Sequence, residues 1–269
     1  MLIVIPATRQ HKSTVEISIK RLKLFYRNVL IWIVCPNPLD YQDLRSKNVY
    51  IFPDDKFSVI NKSQLKQLFT KNEKHLIGWY YQQILKYSII SSVKKECKVL
   101  LLDADTILLD KFEPLKKGFF VSKEPVNVYQ DHFRMLLGFE PKLKKSPITN
   151  FLWINPLQLN RMLKEIEKKH MCYWWQAIIK IIKVEKYSFS EYVTYANWVS
   201  NSLNNHEEVL IKSFRRADLL DVFFKNSDQI IKTIKLKGYQ TATFELCHNK
   251  NLTLKIFAFI ILSLSIRFW

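Results

Sequence analysis

The chain has 269 residues, is 48% hydrophobic and 25% charged, and carries a formal net charge of +18. That much apolar sequence excludes a disordered tail and supplies a core for one large α/β domain or two small ones. The charge raises a nucleic-acid reading, but the lysines come in dispersed pairs (94–95, 116–117, 144–145, 168–169), with no RNA-binding aromatic motif, zinc finger or basic-region helix. No nucleic-acid partner is therefore expected, and a basic face toward anionic lipid or an anionic polysaccharide suits the charge. Cys35, Cys97, Cys172 and Cys247 are scattered, without CxxC or zinc spacing, which points to reduced thiols and a cytoplasmic setting.

Residues 2–6 read as a first strand, and no basic segment precedes them as it would in a signal peptide. A polar loop follows over residues 7–12. Val15, Ile19, Leu22 and Tyr26 then recur at helical spacing. Residues 29–34 and 49–52 are further β runs, each closed by proline. Residues 75–93 predict a periodic helix with Ile77, Tyr80, Tyr81, Ile84, Leu85, Ser88 and Ile89 inward. It leads into Val99-Leu100-Leu101-Leu102, too short for a helix and bounded by charge, hence a buried central strand. Strands alternating with helices predict a mainly parallel, doubly wound sheet flanked by helices. Residues 151–155 then read as a strand and 157–169 as a helix with Leu159, Met162, Leu163 and Ile166 inward. Residues 174–184 and 190–201 are helical, and 209–214 and 241–246 are short β candidates.

No repeat or Gly/Ser linker divides the chain, so residues 1–250 are expected to form a single catalytic domain. Residues 251–269 differ, because 256–266 carry no charge, lie between Lys255 and Arg267, and lead to Phe268-Trp269. As a helix of roughly 17 Å, at about 1.5 Å per residue, that run is too short to cross a hydrocarbon core of about 30 Å. A buried final helix and a membrane-interface anchor both fit. The flanking charges and terminal aromatics lead us to expect peripheral attachment at the cytoplasmic face of the inner membrane.

The chemistry concentrates in Asp103-Ala104-Asp105, directly after the aliphatic strand. Carboxylates at the carboxyl edge of an open α/β sheet sit where such sheets bind ligands. Two of them repel unless a cation lies between, and Mg²⁺ or Mn²⁺ takes oxygen ligands while leaving positions for phosphate. An ordinary polar turn would also place aspartates there. Trp79, Gln82, Gln83 and Lys86 share one helix region ahead of this strand, and Lys86 lies three and four residues from the glutamines, so these groups can point together toward a phosphate or Asp103. Against that, Trp79 also fits a core position and the glutamines a solvated face. Asp131 and His132 form a second acid–base candidate, and His248 matches no motif and is left unassigned.

Three strings occur in order: Gly78-Trp79-Tyr80-Tyr81-Gln82-Gln83-Ile84-Leu85-Lys86, then Asp103-Ala104-Asp105-Thr106, then Phe189-Ser190-Glu191-Tyr192 with Tyr195. Together they resemble a bacterial family of GT-A-type glycosyltransferases associated with capsule or cell-surface polysaccharide synthesis, from Leu2 to about Leu246. The resemblance implies a GT-A-like, Rossmann-related fold. It also implies transfer of a sugar from a nucleotide-sugar donor, taken as UDP-linked, to a glycan or lipid-linked glycan acceptor. Asp103 and Asp105 would hold the metal, which offsets charge on the departing diphosphate. Pro6, Ala7 and Thr8, with Trp79, Gln82, Gln83 and Lys86, would contact the donor. Glu191 would be the catalytic carboxylate that takes the acceptor proton, although Ser190-Glu191 equally fits a helix cap.

Two other classes share parts of this pattern. Haloacid-dehalogenase-type phosphatases use a strand-terminal Asp-x-Asp with the first Asp as nucleophile, but want it near the N-terminus and followed by Thr or Val where Ile107 stands here. A basic, membrane-associated binding protein without catalysis would leave Asp103 and Asp105 structural.

Overall fold

The computed structural model describes residues 1–69, 76–94, 96–182, 187–220 and 226–244, with Ile256 and Ile260 beyond them. In chain order the elements are β1 (Leu2–Pro6), α1 (Lys12–Phe25), β2 (Leu30–Cys35), β3 (Val49–Pro53), α2 (Lys62–Gln67), α3 (Ile77–Ser91), β4 (Val99–Leu102), β5 (Thr106–Leu108) and β6 (Gly118–Val121). There follow α4 (Asn127–Leu137), β7 (Phe151–Ile154), α5 (Pro156–His170), α6 (Trp174–Ile181), α7 (Glu191–Asn201), β8 (Glu207–Leu210), β9 (Ser213–Arg215), α8 (Ser227–Leu236) and β10 (Thr241–Thr243).

The main sheet runs β3-β2-β1-β4-β7. Its first four strands are parallel, and β7 is antiparallel to β4 at the edge. Every residue of β1 and β4 is buried, as strands covered by helices on both faces require. Alternation then assigns the faces. Leu2, Val4, Val99 and Leu101 pack toward α3, α5, α6 and α7. Ile3, Ile5, Leu100 and Leu102 pack toward Val15, Ile19 and Leu22 of α1. The fold is thus the expected α/β arrangement, a mainly parallel sheet flanked by helices.

From β1 the strand order moves outward to β2 and β3, then returns to place β4 on the other side of β1. The crevice at that reversal opens beyond the carboxyl ends of the strands. Residue 103 follows β4 directly, so the order of the strands carries the aspartates to it.

Other parts depart from the sequence reading. Residues 209–214 do not form one strand, because β8 pairs with β6 while β9 joins β10 in a different sheet. Gly118 makes the β6–β8 contact possible, since a Cβ there would lie 2.4 Å from the Glu207 carbonyl oxygen. A small third cluster, built on Ile107, Phe214, Ile230, Ile234 and Ala242, holds β5, β9, β10 and α8 together. The helices α2, α4 and α8 and the strands β5 and β6 were not foreseen. The expected starts and ends at His75, Val184 and Leu246, His248 and all of the tail but Ile256 and Ile260 lie outside the described residues; those two isoleucines are exposed. Among the described residues no helix is long and apolar enough to cross a membrane.

Candidate active site

Beyond β4 the chain turns sharply. The Asp103 N–H donates to the Asn150 carbonyl at 2.9 Å, and the Thr106 N–H returns to the Asp103 carbonyl at 3.1 Å. Asn150 has φ 63°, a left-handed conformation that asparagine accepts better than most residues. Its side chain donates to Thr243 Oγ1 at 3.0 Å, so β10 braces the turn. The Thr106 hydroxyl donates to Asp105 Oδ1 at 3.0 Å, and the Phe244 N–H to the Asp105 carbonyl at 2.7 Å.

At the centre lies Lys86 of α3, 1% exposed. Its Nζ is 2.6 Å from Asp103 Oδ1 and 2.5 Å from Glu191 Oε1. The Glu191 contact is a hydrogen bond. The Asp103 contact is an ion pair. Burial alone would push the Lys86 ammonium toward losing its proton, but the charges of Asp103 and Glu191 outweigh it and hold Lys86 protonated. Glu191 is also 1% exposed. Burial raises its proton affinity more than Lys86 lowers it, with Asp103 adding to the rise. The Gln83 amide abuts the same carboxylate and donates to it when its nitrogen faces Glu191. Glu191 is placed by its helix: the Ser190 hydroxyl caps α7 at Val193 N–H, 3.3 Å, and Tyr87 OH donates to the Glu191 carbonyl at 2.7 Å.

These groups open into a cavity of about 440 Å³. Trp79, Gln82, Gln83, Lys86, Asp103, Asp105 and Glu191 all line it, so α3, the turn after β4 and the start of α7 converge as the three sequence strings require. Pro6, Ala7 and Thr8 do not line it. Pro6 and Ala7 are buried, and the Thr8 carbonyl accepts a hydrogen bond from Tyr41 OH at 2.6 Å. The loop after β1 instead reaches the cavity through His11, whose Nδ1 lies 3.1 Å from the Thr8 hydroxyl. Burial lowers the His11 pKa, partly opposed by Asp103.

Asp131 and His132 are not a site pair. Asp131 is exposed and bridges Arg134 on α4, while His132 is 2% exposed and packs on Phe189 at 5.2 Å. Its Nε2 faces the Ile178 carbonyl at 3.4 Å, and burial lowers its pKa to about 4, so the ring is a neutral core group. Sequence reading missed His11, Glu124, Tyr129, Asn150, Tyr192 and Arg215, all of which line the cavity. Only Tyr192 stood inside a recognised string. Glu124 and Arg215 form an ion pair that no local pattern announces.

The donor set suits a hard divalent cation. The lining carries four carboxylates, Asp103, Asp105, Glu124 and Glu191, against two fixed cations, Lys86 and Arg215. Among the described residues no group of three His, Cys, Asp or Glu side chains is gathered. Asp103 and Asp105 would therefore supply two ligands, with water and phosphate oxygens completing the shell.

The profile of DUF6492, described as a family of unknown function, matches residues 3–235. The chain belongs to this family. No curated protein matches this DUF6492 member. Among solved structures it is similar to galactosyltransferase LgtC in complex with donor and acceptor sugar analogs, with TM-score 0.46, 12% identity, 96% of this chain and 95% of that one covered. The glycosyltransferase GlyE of Streptococcus pneumoniae TIGR4 gives 0.43 and 14%, covering 100% of this chain and 63% of that one. Mouse xyloside xylosyltransferase 1 gives 0.43 and 12%, covering 91% and 97%. Likeness at this distance assigns no role to any residue.

Proposed function

We propose that this DUF6492 protein is a metal-dependent glycosyltransferase of GT-A type, moving a sugar from a UDP-linked donor to a bacterial surface glycan or lipid-linked glycan. The observation that carries the reading is the acidic cavity at the sheet's reversal point, where the Asp103–Asp105 turn meets a buried lysine locked between two carboxylates.

Bound by Asp103 and Asp105, Mg²⁺ or Mn²⁺ would take up charge developing on the departing nucleoside diphosphate. Lys86 holds the Asp103 and Glu191 carboxylates at fixed separation without leaving either charge unpaired. Trp79 and Gln82 supply an aromatic face and an amide to the sugar and ribose hydroxyls, while Gln83 lines the site beside the Glu191 carboxylate it holds. Glu191 takes the acceptor proton, and its raised proton affinity is in the direction that a general base requires. Residues 1–250 form the catalytic unit. Residues 251–269 hold it peripherally at the cytoplasmic face of the inner membrane.

A thermal-shift panel of nucleotide sugars with and without Mn²⁺ tests the core of this reading. One UDP-sugar with Mn²⁺ is expected to raise the melting temperature by several degrees, and Asp103→Asn and Asp105→Asn are expected to remove that response and transfer while leaving the ligand-free protein folded. Either variant keeping normal turnover would refute the metal site. Turnover of p-nitrophenyl phosphate in place of any donor would move the assignment to a phosphatase.

A further inference from the structure

A second cavity, of about 610 Å³, adjoins the first. Glu124 and Arg215 line both, so their ion pair is a partition between the two spaces. The second cavity is walled by the turn after β6 and the β8–β9 connection, with Gln240 closing one side. The turn is built by its own chain, the Glu124 N–H donating to the Ser122 hydroxyl at 3.3 Å.

The charge balance reverses across the partition. The second lining carries Lys123, Lys212 and Arg215, with Glu124 as its one carboxylate. Lys212 is held in place, donating to the Lys237 carbonyl at 2.9 Å and lying 4.5 Å over the Tyr239 ring. The wall also contains Ser213, whose Oγ is buried without a hydrogen-bond partner. An unpaired buried hydroxyl costs free energy until a ligand satisfies it.

We propose that this second cavity is the acceptor subsite and that it takes an anionic sugar, a uronic acid or a sugar phosphate. The acceptor's negative group pairs with Arg215 and the two lysines. The assignment rests on the transferase reading of the first cavity. An acceptor hydroxyl must pass the Glu124–Arg215 partition to reach the donor. An anion offers Arg215 a new partner as Glu124 is released, and Lys123 and Lys212 in the same lining offset the freed carboxylate. A neutral sugar has no such exchange to offer and meets a closed wall.

The test is a saturation-transfer NMR titration of the full chain with 4-nitrophenyl β-glucuronide, its neutral partner 4-nitrophenyl β-glucoside, and glucose 6-phosphate, each with saturating UDP and Mn²⁺. At least one anion is expected to bind tenfold or more tighter than the glucoside. A Lys123→Ala/Lys212→Ala double variant is expected to lose that advantage while binding the glucoside as before, with its melting temperature confirming the fold. The tighter anion names the charged group, carboxylate or phosphate. Equal binding of charged and neutral sugars in the presence of UDP, or indifference to the two lysines, would each overturn the proposal. A UDP response with Mn²⁺ is measured separately by melting temperature. Its absence would sink the transferase reading, and the acceptor role with it, whatever the sugars do.

Discussion

At the scale of single residues, Lys86 decides most about this cavity. A buried ammonium between two carboxylates survives because each desolvated charge has a partner, and removing one partner costs far more than the pair contributes. Lys86→Met should destabilise the protein by about 3–5 kcal/mol, read as a lower urea midpoint at unchanged slope. Adding Glu191→Leu should recover part of that loss, because it removes the carboxylate left unpaired. If the double variant were no better than the single one, lost packing and not unpaired charge would be the cause. Glu191→Gln separates chemistry from architecture. As the proton acceptor it should lower kcat by at least ~100-fold with donor affinity little changed, whereas weakened UDP-sugar binding would make it a positioning residue for Lys86.

At the scale of elements, α4 joins the cavity to the core along one side of the helix. Tyr129 lines the cavity, while His132, one turn further, is buried against α6 and Phe189. His132 has a folded pKa of about 4 against 6.5 for a free imidazole, because burial disfavours the charged ring. Unfolded protein therefore binds the proton first as pH falls. The sign follows: stability is complete above pH 6.5 and is lost as pH drops toward 4, by about 3 kcal/mol for this group. Denaturant midpoints of wild type and His132→Phe across pH 4–7 check this, since the difference cancels the carboxylates' own titration. The wild type should lose its advantage on the acid side, and parallel curves would show that His132 is not neutral in the fold.

At the scale of the whole molecule, a chain of net charge +18 encloses an acidic cavity. The excess cations therefore lie on the outside, where they suit an anionic bilayer. The full chain should sediment with vesicles containing phosphatidylglycerol and be released by salt. Deleting residues 252–269 should leave the protein free of vesicles at moderate salt with donor hydrolysis intact. Aggregation of the truncated protein would instead assign those residues to the core.

Sequence alone determined the layers, because they depend on short-range patterns. Leu2-Ile3-Val4-Ile5 and Val99-Leu100-Leu101-Leu102 are apolar on both faces and so had to be central strands. Leu159, Met162, Leu163 and Ile166 had to be one face of a helix, and all are buried. The convergence of Trp79–Lys86 with Asp103 was also legible, since one helix and the next strand bring them together. Other features depended on contacts between distant parts of the chain. Lys86 and Glu191 are 105 residues apart, and Glu124 and Arg215 pair only because β6 and β8 do. The antiparallel direction of β7 and the split of residues 209–214 between two sheets follow from which edges are left to pair, a choice that alternation of side chains does not encode. The loop after β1 illustrates the division best: its nearness to the crevice follows from strand order, but tertiary packing turned His11, and not Thr8, into the cavity.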